Sequence, residues 1–191
     1  MGQFRSGGCS ERCWLRRLHF VVHSVLLGGA LVGSRALAQA TPAALEYEVK
    51  AAYLLNFTRY VEWPSAAFTG PDAPMTICVV GRDPFGGMLD RMVEGRSVQG
   101  HDLQVKRVAA IGGATGCHVA YLRYADLATL RGRPVLTVGD DEGFAGKGGV
   151  IGFVPVEETV RFEINLNAAR AHGLQISSRM LALAPRVYGR E

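Results

Sequence analysis

Apolar and polar residues recur along the chain at two spacings, and the longer spacing predicts a helix near the start. From Pro42 to about Val61, apolar residues recur every three or four positions, as they do on one face of a helix. Thr41 and Pro42 are typical of an N-cap followed by proline at the first helical position. Pro64 is expected to end the segment, because the residue before a proline avoids helical backbone angles.

Short apolar runs rich in β-branched residues predict strands after this helix. The predicted strands cover residues 75–80, 103–108, 118–121, 134–138, 150–154 and 160–166. Shorter helices are predicted at about 84–93, with Asp83 as N-cap and Pro84 at the first helical position, and at about 126–130, 167–172 and 180–184. Strands that alternate with helices are typical of a parallel sheet, whereas Pro155 between the last two strands favours an antiparallel hairpin. The predicted fold is a single α/β domain with a mixed, mostly parallel sheet flanked by helices and a C-terminal antiparallel hairpin.

The first 38 residues have the pattern of a secretory signal peptide. Arginines precede a short apolar run from Leu18 to Val32, and the tripeptide Ala36-Leu37-Ala38 supplies an A-x-A cleavage site. We expect cleavage after Ala38, or two residues later at a second A-x-A, and a mature domain over residues 39–191. An uncleaved anchor helix is the alternative, but the apolar run is shorter than the roughly 20 residues that a membrane span needs.

Removal of this segment changes the charge of the protein. The chain of 191 residues has 21 basic and 17 acidic residues, a formal net charge of +4. Five of the basic residues and one of the acidic residues lie before position 39, so 16 of each remain and the mature net charge is about zero. A near-neutral domain without a basic stripe argues against nucleic-acid binding.

Removal of the same segment leaves two of the four cysteines, Cys78 and Cys117. Two cysteines in an exported protein predict one disulfide, with two buried thiols or a metal pair as the alternatives. Closure of a loop of about 40 residues contributes up to roughly 4 kcal/mol in the chain-entropy model. No C-x-x-C or H-E-x-x-H spacing supports a metal site, and none is predicted.

The glycine-rich loops do not match the known phosphate or nucleophile motifs. The loop 143–148 lacks the Ser or Thr of a P-loop, and the loop 81–86 lacks the G-x-G-x-x-G pattern. The segment 95–100 misses the G-x-S-x-G elbow by one residue. The three adjacent acids at 140–142 are typical of a solvated turn. We therefore predict no catalytic residue and no cofactor, and a protein that is not an enzyme.

Four residues are candidates for contact with a protein partner. Tyr60 and Trp63 lie at the end of the predicted first helix, and these residue types are favoured at interface centres. Phe144 lies in a glycine-rich loop with no obvious core role, which is typical of a contact surface or a pocket lid. Arg179 is a candidate polar anchor. The alternatives are that the aromatic residues pack in the core and that Arg179 caps a helix or pairs locally.

Several stretches of the mature chain together resemble the YfiR family of periplasmic proteins. They are YLLNFTRYVEWP at 53–64, ICVVGRDPFG at 77–86, TVGDDEGF at 137–144, and VRFEINL at 160–166 with LQISSRML at 174–181. Each stretch alone is a weak match, but their order and spacing make the resemblance specific. It covers almost all of the mature chain, from about residue 47 to residue 184.

The resemblance implies a periplasmic, non-enzymatic regulator. Proteins of this family bind the periplasmic sensor domain of an inner-membrane diguanylate cyclase, hold the cyclase inactive and so lower cyclic-di-GMP output. The resemblance also implies a homodimer, and it gives Cys78 and Cys117 a structural, redox-sensitive role. Better-known members have a second disulfide, for which the mature chain has no further cysteines.

A sensor for a small ligand is the alternative function, since α/β domains bind ligands at the carboxyl ends of their strands. In this chain those ends lead into the loops 81–86 and 139–149. The two functions are compatible if a ligand tunes the contact with the partner.

Overall fold

The first helix, α1, spans Pro42–Tyr60, as the sequence predicts. The structure is a computed structural model that describes residues 41–156 and 159–190. The predicted signal peptide therefore lies outside the described residues. Thr41 caps the helix, because its hydroxyl accepts a hydrogen bond from the backbone N–H of Ala44 at 3.3 Å. Pro42 takes the first helical position, where a backbone N–H would have no helical partner.

The remaining elements are short, and six of the strands match the predicted ones. The strands are β1 (Val61–Glu62), β2 (Met75–Val80), β3 (Ser97–Val98), β4 (His101–Val108), β5 (Val119–Tyr121), β6 (Leu136–Gly139), β7 (Ile151–Val156), β8 (Thr159–Asn165), β9 (Gln175–Ile176) and β10 (Val187–Tyr188). The other α-helices are α2 (Gly87–Val93), α3 (Leu166–Ala171) and α4 (Ser178–Leu181). Short 3₁₀ helices lie at Ser65–Ala67, Ile111–Gly113 and Tyr124–Leu130.

Eight of the strands form one mixed sheet, in the order β10-β8-β7-β6-β5-β2-β4-β3. The strands from β7 through β6, β5 and β2 to β4 are parallel, and β7 and β8 form the antiparallel hairpin. The predicted fold class is therefore confirmed. A separate two-stranded ribbon pairs β1 with β9, so that Val61 lies opposite Ile176.

Helix α2 begins later than predicted. Asp83 does act as a cap, since its Oδ1 accepts hydrogen bonds from the backbone N–H groups of Phe85 at 2.8 Å and Gly86 at 3.1 Å. These bonds close a turn rather than a helix, and Gly86 then takes a φ of +52° that no helix contains. The helix therefore starts at Gly87, and the prediction that Pro84 occupies its first position is wrong.

The two faces of the sheet bury two separate clusters of apolar side chains. Alternation along β2 shows the division, because Ile77 and Val79 belong to one cluster and Cys78 and Val80 to the other. The larger core lies under α1 and α2, and it includes Leu54, Phe57, Ile77, Val119, Phe153 and Phe162. The smaller one, which we name the disulfide core, includes Cys78, Val80, Cys117, Ala120, Leu122, Leu130 and Phe144.

Candidate functional site

A surface groove borders the C-terminal end of α1. The ribbon of β1 and β9 brings the end of α1 next to the start of α4, and the Ser177 N–H donates a hydrogen bond to the Tyr60 carbonyl at 2.9 Å. Arg59 and Tyr60 therefore lie beside Ser177 and Arg179, although more than a hundred residues separate them in the chain. The ribbon is what positions this groove.

The turn between β3 and β4 closes another side of the groove. Among the described residues, Gln99 is the one non-glycine residue with a positive φ, 55°. Its side-chain amide donates hydrogen bonds to the carbonyls of Thr58 at 3.2 Å and Val61 at 2.9 Å. These bonds satisfy backbone acceptors at the end of α1, and they hold the turn in its strained conformation.

Two cavities make up this surface, which we name the helix-end groove. The larger, about 510 Å³, is lined by Arg59, Tyr60, Glu62, Gln99, Ser177 and Arg179. The smaller, about 260 Å³, is lined by Leu55, Arg59, Arg96, Ser97, Val98 and Leu103. Because Arg59 lines both, the two cavities are adjacent parts of one groove.

The structure brings together two of the four residues proposed for partner contact. Tyr60 and Arg179 are both exposed and both line the helix-end groove. Trp63 is half-buried against the larger core, and its indole N–H donates a hydrogen bond to the His118 carbonyl at 3.1 Å. Trp63 therefore packs partly against the core, and only the rest of its side chain is exposed for contact with a partner.

Phe144 packs in the core, which was the alternative to a contact surface or pocket lid. Its side chain is 1% exposed and belongs to the disulfide core. The ring fills the space beside Gly139 and Gly149, where an added Cβ atom would collide with it. The expectation of an exposed loop aromatic is wrong, because the glycines around Phe144 make room for its ring. That glycine spacing was the signal available in the sequence.

A disulfide joins Cys78 in β2 to Cys117, which lies two residues before the start of β5. Both cysteines are buried, and they close a loop with a sequence separation of 39. The alternatives of two free thiols or a metal pair are therefore not seen in the structure. The bond links two segments that already neighbour each other in the sheet, and it lies entirely within the disulfide core.

The carboxyl ends of the parallel strands are filled by the chain's own side chains. Lys50, which is 5% exposed, extends from α1 to Asp140 at 2.9 Å and to Glu46 at 2.6 Å. The Tyr47 hydroxyl donates a hydrogen bond to the same Asp140 carboxylate at 3.3 Å. Asp140 is therefore a paired, half-buried residue and not the solvated loop acid that we expected. A ligand at these strand ends would have to displace this cluster.

The pKa values of Lys50 and Asp140 reflect the contact between these two side chains. Burial opposes the charge of Lys50, but hydrogen bonds with Glu46 and Asp140 outweigh it and raise the lysine pKa. Burial likewise opposes the charge of Asp140, and hydrogen bonds from Tyr121 and Lys50 reverse the effect and lower the carboxyl pKa. The pair therefore stays charged across the neutral range and ties α1 to the end of β6.

Two histidines enclose an aromatic ring near the amino ends of the parallel strands β2, β4 and β5. Phe68 stacks on His101 with ring centres 3.8 Å apart and on His118 at 4.3 Å. The Thr76 N–H donates a hydrogen bond to His118 Nδ1 at 3.0 Å, and His118 Nε2 lies 3.2 Å from the Ala67 carbonyl. This pattern assigns the proton of a neutral ring to Nε2. Burial lowers the pKa of His118. No pattern in the sequence predicted the stack of Phe68 between the two histidines.

The described ranges contain neither a metal-binding cluster nor a membrane-spanning helix. Within residues 41–156 and 159–190, no group of three His, Cys, Asp or Glu side chains lies close enough to hold a metal ion. Within the same ranges, no helix is long and apolar enough to cross a membrane.

Comparisons with protein families and with solved structures give matches over most of the chain. A family model described as YfiR/HmsC-like matches residues 47–185. No curated protein matches significantly. A crystal structure of the ABC domain from Streptococcus pneumonia in complex with L-Trp is similar over 76% of this chain and 60% of that one, with 10% identity and a TM-score of 0.46. A conserved domain protein from Vibrio cholerae is similar over 77% of this chain and 60% of that one, with 14% identity and a TM-score of 0.42. The chain thus spans about 60% of the length of these two structures.

Proposed function

The chain belongs to the YfiR/HmsC-like family of periplasmic regulators, and on that premise we propose that it represses an inner-membrane diguanylate cyclase. In this proposal the protein binds the periplasmic sensor domain of the cyclase and lowers cyclic-di-GMP output. The observation that carries the proposal is the family match over residues 47–185, which includes α1 from Tyr47 onwards, the disulfide and both cavities of the helix-end groove.

The physical mechanism of repression is a shift of population. A protein that binds the inactive state of a receptor more tightly than the active state shifts the receptor toward inactivity by the ratio of the two affinities. Only the folded repressor can supply that difference. Repression therefore depends on the fraction of the chain that is folded at the partner surface.

The redox sensitivity in the proposal follows from the disulfide. Reduction of the Cys78–Cys117 bond removes a crosslink whose loss costs up to about 4 kcal/mol in the chain-entropy model. The unfolded or locally open fraction would rise, and repression would be relieved. The buried position of both sulfurs means that a reductant must reach them through an opening of the disulfide core.

The experiment that tests the proposal measures cyclic-di-GMP in cells with and without the gene for this chain. Each inner-membrane diguanylate cyclase of the source organism that has a periplasmic domain is deleted in turn in the strain lacking the chain. We expect cyclic-di-GMP to rise when the chain is lost and to fall back when one particular cyclase is also lost. An unchanged level in the first deletion, or a rise that no cyclase deletion reverses, contradicts the proposal.

Export is proposed from the first 38 residues, which lie outside the described residues. The expected product is a mature chain that begins at Gln39, or at Thr41 if the second A-x-A site is used. Intact mass measurement of the periplasmic fraction distinguishes the two products. A mass that includes residues 1–38 contradicts cleavage.

A homodimer is also proposed, on the strength of the family and of one face of α1. Leu45 and Val49 lie one helical turn apart and are 51% and 43% exposed, so they form an apolar patch on the surface of α1 that a second copy could cover. Sedimentation of the purified mature chain is expected to show a dimer, and the double variant Leu45→Gln and Val49→Gln a monomer. A monomeric wild type contradicts this part of the proposal.

A further inference from the structure

Three arginines meet at the helix-end groove without an acidic partner. Arg59, Arg96 and Arg179 are exposed, and within the part of the chain that the structure describes none of their side chains makes an ion pair or a hydrogen bond. Three other arginines of the protein pair with carboxylates. Arg107 pairs with Asp83 and Asp90, Arg123 with Asp141, and Arg186 with Glu163.

The groove therefore has an excess of positive charge. Glu62 is the one acidic side chain among the residues that line the two cavities, against three guanidinium groups. The partial negative charge expected at the C-terminal end of α1 is reduced there, because Gln99 and the Ser177 N–H already donate to its last carbonyls. Exposed, unpartnered guanidinium groups favour a carboxylate, which they bind through two parallel hydrogen bonds.

The shape and the floor of the groove favour a peptide chain over a single small anion. The two cavities, about 510 and 260 Å³, share Arg59 and together form a wide, open site rather than one closed pocket. The floor of the smaller cavity is apolar, with Leu55, Val98 and Leu103, while Tyr60 presents a partly exposed ring in the larger one. This arrangement matches a segment in which apolar residues alternate with acidic ones.

We propose that the helix-end groove binds an extended acidic segment of the protein partner, whose carboxylates pair with Arg59, Arg96 and Arg179. Arg59 has the central position because it lines both cavities. Apolar residues of the segment contact the floor formed by Leu55 and Leu103. The identity of the partner rests on the proposed function, whereas the chemistry of the groove does not.

The test uses the mature chain and a defined probe, the fluorescein-labelled peptide GELEELEG, with GQLQQLQG as its uncharged match. Fluorescence anisotropy measures binding to the wild type and to a triple variant, Arg59→Ala with Arg96→Ala and Arg179→Ala. The matched control replaces three exposed arginines outside the groove by alanine, Arg82, Arg131 and Arg161. None of the three pairs with a carboxylate of the described residues, and the change in net charge is the same. Circular dichroism checks that each variant is folded.

We expect the acidic peptide to bind the wild type more tightly with decreasing salt, and the triple variant to bind it about tenfold more weakly or worse. The control variant should keep wild-type affinity, and the uncharged peptide should not bind. If the triple variant does not fold, the single change Arg59→Gln should still weaken binding, since this residue serves both cavities. Equal weakening in the control variant, no binding to the wild type, or free glutamate competing as well as the peptide overturns the proposal.

A second arm separates the groove from the proposed function. The purified sensor domain identified in cells is titrated with the wild type, the triple variant and the control variant. Loss of sensor binding in the triple variant alone supports the docking of an acidic segment, and retention of full affinity there overturns it. A wild type that binds the acidic peptide selectively but no sensor domain supports the groove and contradicts the cyclase partner.

Discussion

The two faces of the sheet are held together in different ways. On one face, the 19 residues of α1 cover a core in which aromatic rings contact each other. The centre of the Phe57 ring lies 5.1 Å from that of Phe162 and 6.0 Å from that of Phe153. On the other face, the cover consists of the short 3₁₀ helices at Ile111–Gly113 and Tyr124–Leu130, and a disulfide crosses the core.

The difference shows where a covalent bond has the most effect. Burial of large apolar groups stabilises the larger core without chemical assistance, at about 1.5–3 kcal/mol for each large side chain. The disulfide core is smaller and has Phe144 as its one large aromatic ring among the described residues. The bond between Cys78 and Cys117 therefore supports the face that packing supports least, and only that face should respond to a reductant.

The largest expected effect is on the larger core, which should not respond to redox conditions. Phe57→Ala removes a ring that is 2% exposed and leaves a cavity among Tyr53, Phe153 and Phe162. We expect the free energy of unfolding to fall by about 3–5 kcal/mol. Urea denaturation with and without dithiothreitol checks this, and the decrease caused by the mutation should be the same in both conditions. A decrease that depends on the reductant would contradict the division into two faces.

The next effect is the loss of the disulfide itself. The double variant Cys78→Ala and Cys117→Ala should lower the free energy of unfolding by about 2–4 kcal/mol. Dithiothreitol should lower the stability of the wild type to a similar level and leave the double variant unchanged. The double variant is the control here, because it has no Cys78–Cys117 bond to reduce. A double variant as stable as the oxidised wild type would show that packing alone holds this face.

A smaller effect is the coupling between mutations on the two faces. Phe144→Leu shrinks a side chain in the disulfide core, so its cost should change by about 0.5–3 kcal/mol when Cys78 and Cys117 are replaced by alanine. Phe57→Leu is the matched change on the other face, and its cost should stay the same within about 0.5 kcal/mol in that background. Equal coupling for both phenylalanines would contradict the independence of the two cores.

The smallest effect is a dependence of stability on pH from His118. Because burial lowers the pKa of this histidine below its ordinary 6.5, the unfolded chain takes up a proton at a higher pH than the folded chain. The free energy of unfolding should therefore fall as pH drops from 6.5 towards the folded pKa, since protonated Nδ1 can no longer accept from Thr76.

Thermal unfolding between pH 7.5 and 5 checks this dependence. His118→Asn should flatten the slope in that range. A slope that persists in His118→Asn would assign the effect to another group.

The sequence was sufficient for features that arise from neighbouring residues. The cap at Thr41, the apolar spacing of α1 and the β-branched runs of the central strands each act over a few positions, so they were predicted correctly. The late start of α2 was not predicted, because an aspartate makes the same hydrogen bonds to the following N–H groups in a tight turn as in a helix cap. At Asp83 these bonds close a turn.

Features that depend on distant residues were not predictable in the same way. The ribbon of β1 and β9 has two residues in each strand, too few to show a period, yet it brings Arg59 and Arg179 to one groove. The stack around Phe68 likewise joins residues more than thirty positions apart. Local patterns contain no information about such contacts.

The most direct test of the account compares repression in cells under oxidising and reducing conditions. Cyclic-di-GMP is measured in a strain lacking the chain and complemented with the wild type, with the double variant Cys78→Ala and Cys117→Ala, or with Phe144→Leu as an intact-disulfide control. We expect the wild type to lower cyclic-di-GMP, dithiothreitol in the medium to reverse this, and the double variant to repress weakly in both conditions. A double variant that represses as fully as the wild type, with or without the reductant, would contradict the account.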